Sequence, residues 1–257
     1  MVHSQRILKA DGPGNTYELI NQTLANNSVS VEAPDQCTNH SSFGRHIREV
    51  WDSSLNSFVF EFIIHANPDN DRCIMSDRQR VEIKTYEPSP DYLKGTKGEI
   101  ITYKWKFKLP DNFSPSTHFT HIHQIKAVGG DSGSPIFTLS PRYNKEGNTL
   151  QIIYTANQYS KPEVLIEEPL NDFLSNWVEA EEIISIGKKG KYTIHIKNIK
   201  TNEIILSYTN NKIATIRKDN KFIRPKWGIY RSLASPQYLK DEMIRMNDFS
   251  IIESAHE

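Results

Sequence analysis

Three segments place polar side chains at strand spacing in a pattern that could do chemistry on an anion. In Arg80-Val-Glu-Ile-Lys84, the side chains of Arg80, Glu82 and Lys84 leave one face of an extended chain, with Arg78 on the same face one step earlier. In His121-Ile-His-Gln-Ile-Lys126, alternation puts Gln124 and Lys126 on one face and His121, His123 and Ile125 on the other. In Arg224-Pro-Lys-Trp-Gly-Ile-Tyr-Arg231, the residues Lys226, Gly228 and Tyr230 share a face, and the glycine leaves room for a ligand to approach the backbone. If the three faces meet, they gather Arg80, Gln124, Lys126, Lys226 and Tyr230, a set suited to an anionic ligand. An amide and a guanidinium can hold and neutralise an anionic group on such a ligand. A tyrosine among cations can then carry protons to or from the reacting group.

Several other residues compete for a place in such a site. His46, in Gly-Arg-His-Ile-Arg-Glu, shares a face with Arg48 and is preferred as a histidine partner; His65, at the end of the next apolar segment, is the second candidate. His121 and His123 point away from Gln124 by strict alternation and are expected to be packed structural histidines. Lys104, Lys106 and Lys108 alternate with Tyr103, Trp105 and Phe107, so the lysines read as a solvated face and the aromatics as core. Arg80, Glu82 and Lys84 also fit a salt-bridged surface, and Tyr230 a rim aromatic. Asp69, Asn70 and Asp71 offer oxygen ligands for calcium, but the spacing of an EF-hand is missing.

These residues need a scaffold of strands. Short alternating segments separated by turn residues run through the chain: His46 to Trp51, Phe58 to Ala66, Arg78 to Tyr86, Ile100 to Leu109, Thr120 to Val128, and further ones to Asp248–Ile252. One short helix is predicted, over Tyr17 to Ala25. About a dozen strands with little helix must pack sheet on sheet. The expectation is an all-β, concanavalin A-like jelly-roll sandwich of two antiparallel sheets, with residues 1–257 as a single domain.

Composition narrows the classes. Acidic and basic residues balance at 31 each, which argues against a general nucleic-acid binder. No apolar run is long enough to span a bilayer, and the first residues lack the apolar core of a signal peptide. Cys37 and Cys73 lie in polar, loop-like segments, open to one disulfide or to two free thiols. The polar surroundings favour the disulfide, hence an oxidising, extracellular setting. Asn-x-Ser/Thr sequons at Asn21, Asn26, Asn39 and Asn112 fit the same setting.

In order and spacing, the three polar segments resemble the three signatures of jelly-roll alginate lyases: Arg-x-Glu-x-Arg, Gln-Ile/Val-His and Tyr-Phe-Lys-x-Gly-x-Tyr. Lys-x-Gly-x-Tyr is also similar to jelly-roll heparin lyases, and the layout to glucuronan lyases. The resemblance spans Arg78 to Arg231. Lys84 stands where the pattern has its second arginine, Lys126 where it has a histidine base, and Arg224-Pro225 where it has an aromatic pair. The resemblance implies β-elimination on a uronic-acid polymer. Tyr230, Gln124, His46, Arg80 and Lys226 would be catalytic, and Lys126, Glu82, Lys84, Arg78, His65 and Arg231 would bind substrate. It implies no metal or other cofactor, an acidic polysaccharide as partner, no nucleic acid or membrane, and a monomer. A carbohydrate-binding module on the same fold is the alternative. A glycoside hydrolase ranks third, because Glu82 is the only acid in the key segments and such enzymes need two.

Overall fold

A computed structural model describes residues 4–37, 40 and 44–255; the sequon asparagine Asn39 lies outside the described residues. The strands, in chain order, are β1 (Ser4–Leu8), β2 (Val31–Glu32), β3 (Ile47–Asp52), β4 (Ser57–Ile64), β5 (Arg78–Lys84), β6 (Glu99–Lys108), β7 (Thr120–Val128) and β8 (Phe137–Arg142). They continue with β9 (Thr149–Tyr154), β10 (Glu163–Pro169), β11 (Val178–Ser185), β12 (Gly190–Asn198), β13 (Ile204–Ile213), β14 (Phe222–Ser232) and β15 (Glu242–Ala255). Among the described residues a single α-helix, α1 (Thr16–Ala25), follows β1.

The strands form two antiparallel sheets. One has the order β13-β12-β11-β6-β15-β4-β3, with β1 also paired to β15; the other has the order β10-β9-β8-β7-β14-β5-β2. This is the expected two-sheet sandwich. The three polar segments become β5, β7 and β14, and β14 pairs with both β7 and β5. Residues far apart in sequence therefore meet as neighbours in the middle of one sheet.

Alternation supplies the core. Tyr103, Trp105 and Phe107 of β6 are fully buried, while Lys104 and Lys106 between them pair with Glu181 and Asp248 at the surface. Across the sandwich, β5 contributes Val81 and Ile83, and β14 contributes Ile223, Trp227 and Ile229. Fully burying each such side chain is worth about 1.5–3 kcal/mol. Trp105 and Trp227 meet with ring centroids 6.2 Å apart. With odd-numbered residues of β14 buried in this way, even-numbered ones leave the outer face of the seven-stranded sheet.

Outside the sheets, Cys37 and Cys73 form a disulfide, with their α-carbons 6.2 Å apart. No helix among the described residues is long and apolar enough to cross a membrane.

Candidate active site

The outer face of β5, β7 and β14 carries a charged cluster assembled rung by rung. Tyr230 lies opposite Arg80, Gly228 opposite Glu82 and Lys226 opposite Lys84; on the other side Lys226 lies opposite Gln124 and Arg224 opposite Lys126. Gly228 is what permits this spacing. Its φ is +136°, and a Cβ there would sit 2.1 Å from the Val81 carbonyl oxygen. Only glycine fits such a close approach of two backbones.

At the same glycine the register against β7 shifts. Trp227 pairs with His123, but Tyr230 pairs with His121, so three steps of β14 are matched by two of β7. A bulge of this kind breaks alternation and re-aims side chains. His123 stays inside as expected, its ring tilted against Trp105 with centroids 4.3 Å apart and its Nε2 2.9 Å from the Glu182 carboxylate. His121 does not follow it. Its ring centroid lies 6.0 Å from that of Tyr230 and 5.2 Å from that of Phe119, and its Nδ1 is 2.7 Å from Ser140 Oγ. The expectation that His121 points away from the site is thus corrected, and the cause is the bulge. Burial pushes the His121 pKa down to about 4 against the pull of the Glu82 carboxylate, with Arg142, Arg80 and Lys126 adding smaller contributions, so the ring is neutral at ordinary pH.

Tyr230 is framed by two arginines. Arg78 Nη1 donates to its hydroxyl at 2.9 Å, and the Arg80 guanidinium lies 3.9 Å from its ring centroid, a cation–π geometry. A negative charge developing on the phenol oxygen would meet both cations.

Beneath these groups the cluster is internally paired. Arg80 donates to Glu82 at 2.5 Å and to Asp71 at 3.0 Å. Lys84 and Arg72 reach Glu32 Oε1 at 2.6 and 2.7 Å, and Lys226 holds the other oxygen of Glu32. Burial opposes the charge on Glu32, yet Lys226, Lys84, Arg80 and Arg72 together hold its pKa far below the carboxylate range. Gln124, 1% exposed, donates its amide to Glu82. Arg80, Gln124 and Lys226, expected to face an anion directly, thus form a braced floor, with Glu82 as its hub rather than a substrate contact.

Three cations on the same face lack this compensation. Lys126, Arg142 and Arg224 form no salt bridge among the described residues, and only Lys126 makes a side-chain hydrogen bond, to the Gly133 carbonyl at 3.3 Å. Arg142 lies two residues beyond Ser140 on β8 and is among the charges acting on His121. Sequence reasoning passed over Arg142, because it ends its strand and belongs to none of the three motifs.

The remaining expected site residues go elsewhere. His46 is 1% exposed, with Nδ1 2.8 Å from Asp35 and Nε2 3.1 Å from Asp69. Burial disfavours its charge, but hydrogen bonds to the two carboxylates raise its pKa to about 9. A buried side chain clamped in this way cannot touch a polymer. His65 Nδ1 lies 3.2 Å from the same Asp69. Arg231 points to the core side, is 1% exposed, and donates from Nε to Gln79 at 2.7 Å. The structure therefore does not bring His46, His65 or Arg231 to Tyr230.

Metal-type ligand atoms converge once among the described residues, at buried His40, His46 and Asp69, all within 4.8 Å of one another. These atoms hydrogen-bond one another, Asp69 accepting from His40 at 2.6 Å. Asp69 turns towards the histidines and Asp71 towards Arg80 and Arg72, so the two acids share no centre.

No protein-family model matches the sequence, and no curated protein matches it. Solved structures do resemble the fold. An endo-β-1,4-glucuronan lyase from the fungus Trichoderma reesei superposes with a TM-score of 0.56 at 14% identity, covering 86% of this chain and 93% of its own. Alginate lyase A1-II′, of polysaccharide lyase family 7, gives a TM-score of 0.60 at 12% identity over 88% of this chain and 94% of its own. The PL-14 alginate lyase from Aplysia kurodai gives 0.52 at 14% identity, over 80% and 86%. The chain thus has the sandwich fold of jelly-roll polysaccharide lyases.

Proposed function

We propose that this protein is a polysaccharide lyase that cleaves a uronic-acid-containing polymer by β-elimination. The observation that carries the reading is the pairing of a neutral histidine, His121, with Tyr230 on a cation-rich outer face. The lyases of like fold support it.

The chemistry follows from the groups present. The hydrogen on the carbon next to a uronate carboxylate is barely acidic while the carboxylate is charged. The unpaired guanidinium of Arg142 neutralises that carboxylate and stabilises the enolate-like intermediate. In the tautomer whose Nδ1 proton is donated to Ser140, His121 keeps Nε2 as the acceptor for the carbon-bound proton. The electron pair then forms a carbon–carbon double bond as the bond to the glycosidic oxygen breaks. Tyr230 donates its hydroxyl proton to that leaving oxygen, and Arg78 stabilises the phenolate left behind. Proton transfer from His121 to Tyr230 through water resets the site. The disulfide suits an oxidising compartment, so the protein is proposed to act outside the cell on an acidic polysaccharide.

The test is ultraviolet absorbance during incubation with a panel of uronate polymers, since elimination creates a conjugated double bond and hydrolysis does not. A rising signal on one polymer, lost in Tyr230→Phe with the fold intact, is the expected result. A flat trace across the panel with binding retained would replace the lyase by a carbohydrate-binding module.

A further inference from the structure

The paired and unpaired cations of the outer face divide along β14. Around Lys226 every charge is answered by Glu32, Glu82 or Asp71. One rung further on, Arg224 faces Lys126 across the β7–β14 ladder. Side chains on directly opposite residues start about 4.5–5.5 Å apart, and like charges placed so are destabilising. Among the described residues the Arg224 side chain makes no hydrogen bond, and its Nε and Nη1 are buried without a partner. Leaving donors of a charged group buried and unpaired costs on the order of 1–3 kcal/mol or more. Burial also lowers the pKa of both Arg224 and Lys126, the latter to about 8. A protein keeps two such groups together at a loss in stability when a ligand supplies the missing counter-charge.

We infer that Arg224 and Lys126 form a second anion subsite, which takes an oxyanion group, a carboxylate or a sulfate ester, on a sugar other than the one being cleaved. Six residues separate Arg224 from Tyr230 on the strand, about 20 Å of backbone. The long side chains reach part of the way back, since Arg80 beside the Tyr230 ring acts on both Lys126 and Arg224, so the subsite is assigned to a sugar adjoining the one whose bond breaks. The inference rests on the lyase reading for its polymer, and it narrows the substrate class to chains with negative charge on successive sugars. A polymer that alternates uronate with a neutral sugar leaves the subsite empty.

The test compares wild type with Arg224→Gln and Arg224→Met on three polymers: a homopolymer of glucuronate, a sulfated uronate polymer, and an unsulfated polymer alternating glucuronate with a neutral sugar. For the charged polymers, KM should rise about ten-fold or more, with kcat within about two-fold. On the alternating polymer the variants should match wild type. Whichever charged polymer shows the larger change identifies the group as carboxylate or sulfate. Equal effects on all three polymers, or a fall in kcat at unchanged KM, would overturn the subsite.

Calorimetric titration with oligosaccharides of the same polymers, in the Tyr230→Phe background, separates this inference from the lyase reading. Weaker binding of the charged oligosaccharides by Arg224→Gln, without unsaturated products from wild type, sinks the lyase and keeps the subsite. Unsaturated products together with unchanged binding sink the subsite and keep the lyase. Thermal melting guards against misfolding. Arg224→Gln should melt no lower than wild type without ligand, because it removes an uncompensated buried charge, and a drop of several degrees would contradict that account.

Discussion

His121 and His46 belong to the same chain and carry opposite protonation. His121 sits on the outer face with Arg142, Arg80 and Lys126 nearby, and its pKa falls to about 4. His46 sits between the carboxylates of Asp35 and Asp69, and its pKa rises to about 9. Burial pushes both downward; at His121 it prevails, with Glu82 opposing and the cations adding to it, whereas at His46 the two carboxylates reverse it. On the proposed lyase reading, the burial and cations that keep His121 neutral leave it free to accept a proton. The acidic surroundings of His46 turn it into a charged clasp that joins the start of β3 to the loops carrying Asp35 and Asp69. One environment makes a reagent and the other makes a tie.

The largest effect that should separate the two is on turnover. His121→Ala should lower kcat on the order of 10²–10⁴-fold while melting close to wild type, and His46→Gln should leave kcat within a few-fold. Steady-state kinetics on both variants would break the comparison if the losses were reversed. Gly228→Ala should damage both fold and activity, because its Cβ cannot coexist with the Val81 carbonyl oxygen 2.1 Å away. Loss of several kcal/mol in a denaturant melt is expected, and a variant of normal stability would remove the bulge from the explanation.

The next effect is pH-dependent stability. A histidine whose pKa is raised on folding, from 6.5 to about 9, stabilises the fold fully below the unfolded value, and that stability is lost as pH rises through the folded one. The contribution is on the order of 3 kcal/mol. His46→Gln should therefore melt roughly 6–12 °C below wild type at mildly acidic pH, with the gap closing above pH ~9. A gap that stayed constant or widened with pH would show that the clasp is not charged. The smallest effect concerns His65, a half-exposed contributor to the same cluster. His65→Ala should shift the melt by only a few degrees, and a collapse of the fold would promote it to a principal tie.

Much of this architecture was legible from period two alone. The inward rows of β6 and β14 were readable as apolar alternation, and so were the outward rows of β5. Order and spacing also picked out the three strands that meet at the site. What was not legible depended on contacts between distant segments. The bulge that turns His121 outward arises from how β14 is held between β5 and β7, and Gly228 was its only local sign. Glu32, which neutralises four cations, comes from a two-residue strand with no pattern of its own. Arg142 became visible only when β8 was laid beside β7. His46 was misplaced because alternation gives a face and not what packs over it; here Asp35 and Asp69 do.

The central claim is that a neutral His121 beside Tyr230 accepts the proton in the elimination. The pH dependence of kcat/KM for formation of unsaturated product tests it most directly, since the acid limb reports the base of the free enzyme. The account predicts that activity persists well below the ordinary histidine pKa and fails only as pH approaches about 4. An acid limb centred at pH ~6.5 or above would contradict it.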